Sequence, residues 1–328
     1  MTAPWTADRW LGAVVALALI AGACSNGSPA ASRSRQGPAP ATTSPKRSLR
    51  VSVQRIGHLP APLQDPAVAS VGRSAYALGG LNAADFSVST ILKVLPGRVH
   101  SIGQLSLPTH DAAAVALGGK LYLFGGGHLT SYRTIERIDP ATGSVTTVAQ
   151  LPEPLSDVSA AVIGRTAYIV GGYTGASFSD QILSFSKGAV RVIGHLPIGL
   201  RYTAVAAAGG SLMIAGGLSV SGPTKAIYSF TPAAHRLTRI GTLPRPLMHA
   251  SAAALGGALY IVGGLGRRLV PRRDILAVRM GGAVMRAGSL TQPLSDAGVS
   301  AQGGRIVVIG GRTRSGPVAS VLTIVPAP

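Results

Sequence analysis

The sequence predicts an all-β fold, a β-propeller of six four-stranded blades, and three observations predict it. Glycine pairs recur at Gly79-Gly80, Gly125-Gly126, Gly171-Gly172, Gly216-Gly217, Gly263-Gly264 and Gly310-Gly311, spaced 46, 46, 45, 47 and 47 residues apart. Each unit opens on a corner rich in proline and leucine: LPAPLQD, LSLPTHD, LPEPLSD, LPIGLRY, LPRPLMH and LTQPLSD. The composition, with 43 Gly, 23 Pro and only 12% charged residues, suits many short strands joined by turns rather than helices. Four short strands per unit of about 45 residues is the pattern of a propeller blade.

The first 23 residues stand outside that pattern. Arg9 and Trp10 precede the run LGAVVALALIAGA (11–23), which ends at Cys24. Such a run is too short to cross about 30 Å of hydrocarbon but suits the apolar region of a signal peptide. Ala21, Gly22 and Ala23 before Cys24 resemble a bacterial lipoprotein signal, although Ala21 stands where a large aliphatic residue is usual. The resemblance implies lipidation of Cys24 and a lipid anchor on the outer face of the cell membrane. An ordinary secretory signal is the other reading. Cys24 is the only cysteine, so the chain can form no internal disulfide and has no cysteine left for catalysis or metal binding. Residues 24–48 are mostly Ser, Pro, Ala, Thr and Arg without apolar periodicity, which predicts a flexible tether.

The repeats occupy 49–328. Three residues before each glycine pair stand Tyr76, Tyr122, Tyr168, Met213, Tyr260 and Val307. In the third unit four strands are expected in DVSAAVIG, TAYIVGG, QILSFS and AVRVIGH. The stretch GGKLYLFGG (118–126) and its sisters resemble the kelch repeat, and the resemblance extends over 49–328. Kelch repeats normally place a tryptophan in the fourth strand. Here the matching positions are Val53, Val99, Val145, Val190, Leu237 and Val284, and the two tryptophans, Trp5 and Trp10, lie in the leader. The chain therefore resembles a divergent member of that family.

The sixth unit supplies only three strands. The N-terminal LRVSVQRIGHLP (49–60) matches the fourth strands AVRVIGHLP and RLTRIGTLP, so it is expected to complete the sixth blade. A closed ring leaves no open sheet edge. Two apolar runs, 202–220 and 251–266, imitate membrane helices, but they fall in phase with sister strands and are read as buried strands. The glycine pairs match no phosphate-binding motif, and a nucleotide site would not recur six times.

Candidate site residues follow from register. Fourteen residues before the first glycine of each pair stand Asp65, Asp111, Asp157, Tyr202, His249 and Asp296. All six are expected to ring one mouth of the central channel. Their recurrence fits a structural device, an Asp that binds backbone N–H groups and holds a corner. It also fits a polar ligand site, for which the departures Tyr202, with Arg201, and His249 are the specific contacts. The loops between second and third strands fall on the same face. In the last two units they carry Arg267, Arg268, Arg272, Arg273, Arg312 and Arg314, a candidate anion-binding patch in a chain of net charge +19.

Hydrolase and metalloprotease motifs are absent, and neither a cofactor nor a metal site is expected. The sequence reading is an exported, lipid-anchored, monomeric binding module. Its partners are the membrane, through Cys24, and an extracellular protein, an anionic glycan or a cell-wall polymer, with no nucleic acid. The kelch resemblance also admits an alternative: a sugar epimerase or mutarotase of the N-acetylneuraminate type, working by acid–base chemistry at the channel mouth.

Overall fold

The computed structural model describes residues 48–327, which belong to one compact unit. Cys24, the signal-like segment and most of the expected tether lie outside the described residues. Six antiparallel four-stranded sheets follow one another along the chain. The third blade runs from its innermost strand Ser159–Ile163 through Thr166–Val170 and Gln181–Ser186 to the outermost strand Ala189–His195, as its sequence predicts. Alternation of small and branched apolar residues in the two inner strands gives each sheet two faces that bury against neighbouring blades.

The sixth blade closes the ring. Gly298–Gln302, Arg305–Ile309 and Ser320–Pro326 are completed by the N-terminal strand Val51–His58. Val51 lies opposite Pro326 and His58 opposite Ser320. The apolar run 202–220 contains the strands Ala204–Ala208 and Ser211–Ala215, and 251–266 contains Ser251–Leu255 and Ala258–Val262. No helix among the described residues is long and apolar enough to cross a membrane.

The glycine pair is the seam between blades. In all six units the N–H of the second glycine donates to a corner carbonyl of the following blade: Gly80 to Thr109, Gly126 to Leu155, Gly172 to Leu200, Gly217 to Leu247, Gly264 to Leu294 and Gly311 to Leu63. The first glycine must bring its Cα against that same carbonyl. A Cβ on Gly171 would lie 2.2 Å from the Leu200 oxygen, and its φ of 63° is costly for most other residues.

Between blades lie six apolar clusters, one per seam. The residues that stand where a tryptophan is usual, Val53, Val99, Val145, Val190, Leu237 and Val284, are each partly buried at the margin of one cluster. Smaller side chains thus seal the outer rim, and the interior rests on fully buried residues such as Phe124, Ile169 and Phe230.

Candidate functional site

The six ring residues share one backbone state. Asp65, Asp111, Asp157, Tyr202, His249 and Asp296 have φ of 51°, 55°, 56°, 54°, 52° and 55°, the left-handed region. Asp tolerates this region better than most side chains, which explains its recurrence at the corner. The corners also link to one another. The N–H of Asp65 donates to the Asp296 carbonyl, Asp157 to Asp111, Tyr202 to Asp157 and Asp296 to His249. These links run through the main chain, and the ring Asp side chains bond to other side chains rather than to backbone N–H groups. Tyr202 and His249 gain nothing from the left-handed state and hold it at a cost.

All six residues line one cavity of about 140 Å³ at the channel mouth, together with the first residues of the innermost strands. Below it the bore is lined mainly by alanine and valine, among them Ala69, Ala116, Ala161, Ala207 and Ala253. The mouth is thus a polar cup on an apolar stem.

The cup has two halves. In one, Arg201 Nε lies 2.6 Å from Asp157 Oδ2, whose side chain is 2% exposed. Arg201 Nη2 donates to Tyr202 Oη at 2.6 Å, and Tyr202 Oη reaches Asp111 Oδ2 at 3.4 Å. The guanidinium is packed against aromatic rings, with its carbon 4.4 Å from the Tyr202 centroid, 4.8 Å from Tyr173 and 5.4 Å from Phe178. Such contacts fix an arginine in one pose. In the other half, His249 Nδ1 lies 2.5 Å from Asp296 Oδ1, and Ser295 Oγ donates to Asp296 Oδ2 at 2.6 Å. The Tyr202 and His249 rings stack at 3.5 Å between centroids and join the halves. Ligand-capable atoms of Asp65, His249 and Asp296 lie within 4.8 Å of one another. A cation there would have to displace the existing bond between His249 and Asp296.

Burial dominates the electrostatics. It raises the Asp65 carboxyl well above the ordinary carboxylate range, with Asp296 adding repulsion. It lifts Asp111 to about 6, and it lifts Asp157 to about 8 with the Asp111 charge as the next cause. Burial and then the nearby carboxylates keep the Tyr202 hydroxyl protonated. Asp111 and Asp157 titrate as a pair, and near neutral pH they retain one proton and one negative charge, with the guanidinium placed to hold that charge.

A pH dependence follows. These carboxyls take up protons more readily folded than unfolded, so their contribution favours the folded state at low pH. It declines as pH rises from the unfolded value of 3.8 through about 8. Thermal melts of the parent protein and of an Asp111→Asn, Asp157→Asn variant should therefore diverge between about pH 4 and about pH 8, the parent losing more stability with rising pH. Parallel curves would show that the pair is not protonated in the fold.

Of the six arginines expected to form an anion patch, two have partners within the fold. Arg273 donates to the carbonyls of Leu290 and Thr291 and holds its own blade corner, as Arg133 does with Leu151 and Pro152. Arg312 bridges blades, bonded to Gln64 and paired with Asp85 at 2.9 Å. Arg272 is partly buried, and Arg267, Arg268 and Arg314 are exposed. Sequence reading passed over Tyr173 and Phe178, which support Arg201, and His110. The His110 Nδ1 lies 2.8 Å from Ser87 Oγ and its Nε2 lies 3.6 Å from Asp111 Oδ2. Burial depresses the His110 pKa. A signal for His110 was present: it holds the same register as Arg201, one residue before the ring.

Comparison with known proteins agrees with the propeller fold. The family model for the Kelch motif matches residues 108–152, the second unit. The chain is a six-bladed β-propeller with a Kelch motif in its second unit. This kelch propeller is also similar to the solved structure of YjhT, with a TM-score of 0.71 and 18% identity over 80% of this chain and 95% of that one. At that identity the likeness speaks for the fold alone. No curated protein matches the chain.

Proposed function

We propose that the kelch propeller is an exported binding module that takes the terminal residue of a glycan into the channel mouth. The observation that carries this is the cup itself: the Tyr202 hydroxyl and the His249 ring stand among the carboxyls of Asp65, Asp111, Asp157 and Asp296 around a cavity of about 140 Å³. Alternating donors and acceptors beside aromatic rings suit a polyhydroxylated ring. The small volume suits one residue rather than a folded partner. The cavity is lined by four carboxyl groups and by no lysine or arginine, which favours a neutral or amino sugar over an anionic one at this spot. The signal-like segment and Cys24 support an outer-surface, lipid-anchored location, which labelling of Cys24 by a fatty-acid probe would test.

Titration calorimetry against a panel of neutral and amino monosaccharides tests the binding reading. Binding should appear for at least one sugar and fall by about tenfold or more in Tyr202→Phe, which removes one hydroxyl from the cup. A panel with no binder, or equal binding by the variant, overturns it. A second reading, a sugar epimerase or mutarotase, is supported by one specific observation: the proton-retaining pair Asp111 and Asp157 faces the His249–Asp296 pair across the cup. Groups of differing proton affinity on two sides of one ligand are what general acid–base chemistry needs. Anomer exchange followed by NMR, accelerated by the parent and not by His249→Ala, would favour this second reading.

A further inference from the structure

The exposed apolar side chains are distributed unevenly. Nine large hydrophobic residues are exposed among the described residues, and seven of them, Phe86, Leu107, Leu129, Ile198, Val220, Leu269 and Val270, lie on the face that bears the channel mouth. The other two, Val192 and Met285, lie on outermost strands, and none is on the turns of the opposite face. Scattered surface hydrophobics need no explanation, but a concentration of seven out of nine on one face does. The loops that carry them are held upright beside the ring. In every blade the residue after the glycine pair bridges the residue before the ring position: Leu81 with Gln64, Gly127 with His110, Tyr173 with Ser156, Leu218 with Arg201, Leu265 with Met248 and Arg312 with Ser295.

The apolar points are separate. Leu129 and Val220, both 89% exposed, sit on the loops of blades two and four, Phe86 on that of blade one, and Leu269 with Val270 on that of blade five. Separate prongs on different loops do not make the continuous buried centre that a protein partner needs. They do suit a fluid surface into which each prong can dip. Cations stand among them: Arg267 and Arg268 directly precede Leu269 and Val270, and Arg245 and Arg314 are exposed on the same face. The exposed carboxylate Asp85 is already held by Arg312. Basic residues also occur on the opposite turns, so charge draws the propeller toward an anionic surface and the apolar points decide which face meets it.

We propose that the mouth-bearing face docks on an anionic phospholipid bilayer, with the side chains at 86, 129, 220, 269 and 270 entering the headgroup layer. The propeller faces the membrane, and its mouth opens at headgroup level. The docking does not depend on what the mouth binds.

Residues from Arg47 onward form the compact unit with all six blades, and they contain no tryptophan, so a single introduced one is a clean reporter. Leu129→Trp and Val192→Trp would be mixed in turn with vesicles of phosphatidylcholine alone and of phosphatidylcholine with about a quarter phosphatidylglycerol. The Leu129→Trp emission should shift to the blue with the anionic vesicles only, and Val192→Trp should not shift with either. In cosedimentation, Leu129→Asp, Val220→Asp, Leu269→Asp combined should lower binding to the anionic vesicles by at least about tenfold. Equal shifts at both positions, or unchanged sedimentation of the triple variant, would overturn the proposal. Sugar titration of the same triple variant without vesicles separates the two readings, because a mouth that binds sugar keeps that property when docking is lost.

Discussion

Deleting residues 49–58 is expected to abolish the cooperative melt of the propeller. Among the described residues, the strand Val51–His58 is the only partner of the outer edge of Ser320–Pro326. Leu49 and Val51 are buried in the cluster between blades five and six, and Ile56 packs on the cluster between blades six and one. One segment therefore seals two seams. The Tyr260 hydroxyl also bonds to the Leu49 carbonyl. Truncating a single buried aliphatic side chain costs about 2–5 kcal/mol, and a domain of this kind has about 5–15 kcal/mol in total. Removing the whole strand adds an unpaired apolar edge, which invites aggregation. Calorimetry of the shortened chain should show no sharp transition, whereas removal of residues 1–46 should leave the transition in place. A shortened chain that melts like its parent would refute closure by the N-terminal strand.

The second large effect is expected at Arg201. Its guanidinium faces a carboxylate that is almost wholly removed from water, and no other cation lies against Asp157 among the described residues. Breaking a buried pair from one side leaves an uncompensated charge, which costs about 3–5 kcal/mol. Asp157 can relieve part of this by taking up a proton, so Arg201→Ala should cost about 3 kcal/mol, at the low end of that range. The loss should be larger at pH 8 than at pH 5, because Asp157, with its pKa raised to about 8, holds its proton at pH 5 and is partly ionised against Arg201 by pH 8. Arg201→Ala combined with Asp157→Asn removes the stranded charge and should recover much of the stability. Denaturant melts of the two variants at both pH values check this, and equal stability of the single and double variants would show that Arg201→Ala strands no charge on Asp157.

The sequence by itself determined the period, the blade count, the closing strand and the ring positions. Each depends on local rules that repeat: a glycine where a Cβ would strike a carbonyl, small and branched residues alternating along inner strands, an Asp where the backbone turns left-handed. Repetition made these rules readable, since six copies show which positions vary and which do not. It also left Asp157 ambiguous, because a corner device and a ligand contact place the same residue at the same register.

Only the tertiary structure shows what Asp157 touches. Its backbone is one link in the corner ring, and its side chain meets Arg201 over the rings of Tyr173 and Phe178, which lie on a different loop. The arginines of the last two blades also differ in ways the sequence does not record. Arg273 and Arg312 are near Arg267 and Arg314 in sequence, yet they are occupied by carbonyls and by Asp85. Side-chain partnerships of this kind join residues tens to hundreds of positions apart, and no period in the sequence records them. What a residue can bind depends on which partners have already claimed its polar atoms, and that is settled only when the ring closes.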